Sequence, residues 1–90
     1  PQAPSNDIPA AERAERAEER RGVQAALESL DEELRVALSL RHAQRLTMQE
    51  LATSLDCSVP TARQRLRKAA RLFAGELRQR GLIAIDEEVS

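Results

Sequence analysis

Apolar residues recur along this chain at helical spacing, and no stretch alternates long enough for a strand. Met48, Leu51, Ala52 and Leu55 fall at i, i+3, i+4 and i+7, one face of a single short helix. Ala62, Leu66, Ala69, Ala70, Phe73 and Leu77 keep the same period over a longer one. Upstream, Val23, Ala26, Leu27 and Leu30 make a stripe that predicts a helix running to Ser29 or Leu30. Leu34, Ala37, Leu38 and Arg41 continue the stripe on a second helix, widened by Val36 and Leu40. The expected class is all-α: a small domain of three to four helices that ends in a helix-turn-helix. Its expected core is Leu27, Leu34, Leu38, Leu51, Leu55, Leu66 and Phe73.

The boundaries carry their own chemistry. Asp31 can cap the second helix, and Glu32 and Glu33 in its first turn suit the helix dipole. Thr47 and Glu50 have capping-box spacing, with Leu46 and Leu51 at the two positions of a hydrophobic staple. Asp56-Cys57-Ser58 breaks the pattern as a three-residue turn. Ser58 or Val59 can cap the last helix, with Pro60 in its first turn, where a missing N–H costs little. Gly81 suits the C′ position, which puts Leu82 within reach of Leu77 in a Schellman close.

Outside these helices the chain has little to bury. Residues 1–9 (PQAPSNDIP) read as a linker, and residues 10–21 repeat Glu-Arg-Ala units as a solvated, frayed helical lead-in. Glu12 and Arg16 are spaced to pair within it. Arg41 to Arg45 is a polar link, and Leu82 to Ile85 is expected to tuck back before an acidic end. The chain opens on Pro1, as expected of a piece of a longer protein.

Charge changes the picture because it is segregated. The net charge is only −1, yet residues 58–80 hold seven bases against one acid, and residues 1–34 hold nine acids against four bases. Positive charge gathered on one helix is an electrostatic footprint for a polyanion. On a helical wheel, Pro60, Gln64, Arg67, Lys68 and Arg71 point away from the apolar side, while Arg63 and Arg65 flank it. A basic second helix in a helix-turn-helix implies duplex DNA, since such a helix can enter the major groove. There Gln can bond bidentately to adenine, and Arg or Lys can donate to guanine O6 and N7. The other cations would hold phosphates and set register.

Other chemistries find no support. Phe73 is the only aromatic residue and belongs to the core, which argues against stacking on single strands. One cysteine and one histidine, Cys57 and His42, make no metal site, and no cofactor is expected. Cys57 is a small packing residue of the turn. His42 is better placed on an inert surface than on a phosphate. No phosphate-binding glycine loop or nucleophile–base spacing occurs, so no enzyme is expected. Lacking an apolar run of the roughly 20 residues needed to span a bilayer, with no signal peptide and a single thiol, the chain is expected in the cytoplasm.

The run ALESLDEELRVALSLRHAQRLTMQELATSLDCSVPTARQRLRKAARLFAGELRQRGL resembles region four of bacterial extracytoplasmic-function sigma factors. The likeness spans about Ala25 to Leu82 and keeps the family's spacing across all helices. It includes the second leucine-rich helix ending in Leu-Arg, then Glu-Leu-Ala, Cys-Ser-Val, a threonine and Arg-Leu. Two positions depart: Pro60 stands where glycine is common, and Asp31 replaces a frequent proline.

The resemblance implies recognition of the minus-35 promoter element in double-stranded DNA by the last helix. It also implies docking on the beta-subunit flap of RNA polymerase, and an anti-sigma factor as a further partner. By position, Arg63, Gln64 and Lys68 match base-reading residues. Arg65, Arg67 and Arg71 would serve phosphates, joined by Thr47, Arg41 and Arg45. The expected organisation is a linker and charged lead-in over 1–22, a region-four-like domain over 23–83, and an acidic tail over 84–90. A monomer is expected, since no dimerisation segment is evident. Region two does not occur in these residues, so this chain alone is not expected to initiate transcription. The alternative is a sigma-like interaction module that binds an anti-sigma factor without reading DNA. An unrelated, dimeric helix-turn-helix regulator is a third reading.

Overall fold

The computed structural model describes residues 9–84. Among these, α1 spans Ala10–Glu28, α2 Glu32–Leu38, α3 Met48–Leu55 and α4 Val59–Gln79, with no strand. The fold is therefore all-α, with α3 and α4 as the helix-turn-helix. The expected linker over 1–9 and acidic tail over 84–90 lie almost wholly outside the described residues.

α1 runs without a break from the Glu-Arg-Ala units into the apolar stripe, and Ser29 closes it. Its first turns are exposed apart from Ala17, and Glu12 meets Arg16 at 3.7 Å with both side chains half exposed. Such a pair contributes little in water. Asp31 occupies the N-cap of α2, although its side chain makes no capping hydrogen bond. The first-turn acids Glu32 and Glu33 remain to favour the dipole.

The Arg41–Arg45 link is more ordered than its composition suggests. α2 widens into a π-helical turn over Ser39–Ala43, where the Gln44 N–H donates to the Ser39 carbonyl at 3.1 Å. Arg45 then reverses the chain at φ 61°, and the Leu46 N–H donates back to the Leu40 carbonyl at 3.1 Å. A glycine would ordinarily announce such a reversal. Here arginine adopts the left-handed conformation, so the sequence carried no warning.

Among the described residues, two apolar clusters make the core. In one, Leu30, Leu34 and Leu38 surround Ala69, with Leu27, Leu66 and Phe73 packed against them. In the other, Leu51, Ala52 and Ala62 are buried beneath Leu40, Met48, Leu55, Cys57 and Val59. Leu66 touches both clusters, so α4 ties the α1–α2 pair to α3. Of the expected core, Leu34, Leu38 and Leu51 are buried, whereas Leu27, Leu55, Leu66 and Phe73 are half-buried. The fully buried positions are mostly alanines, Ala26, Ala37, Ala62 and Ala69, because helices this short on bulk must approach closely to close a core. No helix of the described residues is long and apolar enough to cross a membrane.

Candidate nucleic-acid interface

The helix-turn-helix is built from short-range hydrogen bonds. The Glu50 N–H donates to Thr47 Oγ1 at 3.1 Å, and the Thr47 N–H donates to Glu50 Oε1 at 2.8 Å. Both arms of the capping box are therefore made. At the other end of α3, Asp56 turns left-handed at φ 58°. The Asp56 N–H bonds the Thr53 carbonyl at 3.1 Å, and the Cys57 N–H bonds the Ala52 carbonyl at 3.0 Å. That is a Schellman close with aspartate in the glycine position, a substitution whose short polar side chain tolerates this conformation. Ser58 then caps α4, its Oγ accepting from the Thr61 N–H at 3.2 Å. Pro60 follows within the first turn. Each helix end is satisfied locally, so the direction in which α4 leaves the turn is set by the turn itself.

α4 presents Arg63, Gln64, Arg67, Lys68 and Arg71 as exposed side chains. None of them makes a side-chain hydrogen bond or ion pair among the described residues, so their donors are uncommitted. Arg65 is half-buried and, with Thr61, Gln64 and Lys68, lines a cleft of about 250 Å³ whose far wall is Glu33 and Leu34 of α2. Six of the nine candidate residues thus stand on one helix.

The other three stand elsewhere. Thr47 is exposed at the start of α3, its hydroxyl oxygen already accepting the capping bond. Arg41 is half-buried, and its Nη1 donates to the Leu46 carbonyl at 2.5 Å. Its guanidinium thus braces the loop that precedes α3. Arg45 is exposed at the left-handed position of that loop. Neither Glu33 nor Thr61 was expected at the interface from the sequence. Glu33 lies 31 positions before Gln64 in sequence number, and only the packing of α2 on α4 puts them on one cleft.

A second feature is lined by no lysine or arginine. Leu27, Leu38, Ala43, Ala70, Phe73 and Leu77 line an open groove of about 450 Å³ between α1, the π-helical turn and α4. His42 stands on its wall. Phe73 is half-buried: it packs against the first cluster and also lines this groove.

The family model described as Sigma-70, region 4 matches residues 20–72, more than half of the chain. That span takes in the last nine residues of α1, all of α2 and α3, and the part of α4 that carries Arg63, Gln64, Arg67, Lys68 and Arg71. No curated protein matches the chain.

Proposed function

Because this chain belongs to the sigma-70 region 4 family, we propose that it is the minus-35-reading domain of an alternative sigma factor of the extracytoplasmic-function group. The family is one of DNA-binding, non-catalytic domains of sigma factors, which act in transcription initiation with RNA polymerase. The observation that carries the finer reading is the row of uncommitted donors on the exposed side of α4. Arg63, Gln64 and Lys68 would meet base edges in the major groove, and Arg65, Arg67 and Arg71 the flanking phosphates. Arg45 and Thr47, beside the start of α3, would extend the phosphate contacts. Arg41 would join them through the nitrogens that do not hold Leu46.

The groove walled by Leu27, Phe73 and Leu77 supports the second part of the reading. It offers an apolar seat lined by none of the proposed DNA-contacting residues, so a polymerase segment would be able to occupy it while α4 holds DNA. The beta flap is the partner we assign to it. An anti-sigma factor could compete for the same seat, and a monomeric, cytoplasmic protein is the state in which both surfaces are open. Binding titrations with a promoter duplex and with the isolated flap, separately and together, test this. Simultaneous binding supports two surfaces. Flap binding with no DNA binding at low salt would favour the interaction module instead.

A further inference from the structure

We infer that Glu33 is an electrostatic restraint on the basic face of α4, weakening its hold on every duplex alike. The inference rests on the DNA-binding reading above. Glu33 and Leu34 of α2 form one wall of the cleft whose other wall is Thr61, Gln64, Arg65 and Lys68. Leu34 is buried against Ala69, which fixes how α2 sits on α4 and keeps Glu33 at the cleft. The Glu33 carboxylate is exposed and makes no hydrogen bond or ion pair among the described residues.

In the free protein, water fills the cleft and screens this charge. A phosphate arriving at Arg65 displaces part of that water and meets a carboxylate on the same cleft. The repulsion grows as the local dielectric falls. Glu33 belongs to the helix beside α4, not to α4 itself, so its charge would act across the cleft and not through a base contact of its own. Its effect is therefore blind to sequence. A restraint of this kind lowers the lifetime on wrong sites as much as on right ones, and leaves discrimination to α4.

The test uses the full chain, with Glu33→Gln and, as control, Glu32→Gln. Glu32 is the neighbouring first-turn acid, exposed and absent from the cleft, so both variants lose one charge from one helical turn. The probes are a duplex enriched by the chain from a randomised pool, a scrambled version of it, and a heparin column eluted with salt. Glu33→Gln is expected to bind both duplexes about two- to five-fold more tightly, the scale of an exposed charge pair. It should also elute later from heparin, while Glu32→Gln stays near the unmodified chain. Equal gains in both variants would reduce the effect to net charge and overturn the inference. So would no gain, or a change confined to the enriched duplex, which would signal a base contact. If the unmodified chain binds neither duplex at low salt, the DNA reading fails. Heparin then still decides the role of Glu33: later elution of Glu33→Gln than of Glu32→Gln upholds it, and co-elution ends it.

Discussion

Leu82 lies over Gly22 so closely that a Cβ on Gly22 would stand 2.9 Å from Leu82 Cδ1. The contact exists because α4 ends in a Schellman close. Gly81 sits at φ 74°, its N–H bonds the Arg78 carbonyl at 3.0 Å, and the Leu82 N–H bonds the Leu77 carbonyl at 2.9 Å. The close turns Leu82 back onto α1. Glycine inside a helix costs about 1 kcal/mol relative to alanine, and here it makes room for a side chain that ties the end of α4 to α1.

That relationship is testable as a coupling. Gly22→Ala should leave stability nearly unchanged, since its gain in helix propensity, about 1 kcal/mol, is offset by displacing the flexible end of Leu82. Leu82→Ala should cost about 1 kcal/mol in the original background and clearly less beside Gly22→Ala. A double-mutant cycle by chemical denaturation reads the difference. Strict additivity would mean that the two residues do not touch in solution.

The caps of the helix-turn-helix predict a second set of losses. Thr47→Ala and Ser58→Ala should each lower stability by about 1 kcal/mol, whereas Thr47→Ser should be nearly silent because its hydroxyl can still accept from the Glu50 N–H. Thermal melts of the three variants check this. Equal losses for Thr47→Ala and Thr47→Ser would show that the methyl group, not the cap, matters.

These caps were legible in the sequence, and so was the Gly81–Leu82 close, because each is decided by residues within five positions of one another. The turn after α3 was placed correctly for the same reason. What escaped was whatever depends on distant packing or on an unusual backbone. Arg45 reverses the chain without a glycine, so the π-helical turn read as a plain polar link. Phe73 looked like core because the wheel gives direction but not depth, and its side chain also lines the open groove. Glu33 looked only like a favourable first-turn acid until α2 was seen to share a cleft with α4.

Packing depth makes a third prediction. Leu51 is the one large side chain with no exposed surface among the described residues, whereas Leu66 is half-buried between the two clusters. Leu51→Ala should therefore cost more than Leu66→Ala within the range of about 2–5 kcal/mol for such truncations. Equilibrium unfolding in urea orders the two. The reverse order would move the centre of the core from α3 to the seam between clusters.

Ala43 offers a way to separate the two proposed surfaces. It is exposed, it lines the apolar groove, and it lies on the π-helical turn and not on α4. Ala43→Glu should leave the melting curve and DNA binding almost intact. It should weaken binding of the isolated polymerase flap by about tenfold or more, since the complex would bury an unpaired charge. Undiminished flap binding would remove the groove from the polymerase contact.

On the proposed reading, α4 reads bases with some side chains and holds phosphates with others. A binding titration at several salt concentrations, against a verified promoter duplex and a scrambled one, tests it most directly. Gln64→Ala and Lys68→Ala should each lose about 1–3 kcal/mol of discrimination between the two duplexes. Arg67→Ala and Arg71→Ala should weaken both duplexes alike and lower the salt slope by nearly one counterion each. Equal affinity of the unmodified chain for the two duplexes would contradict base reading by this domain.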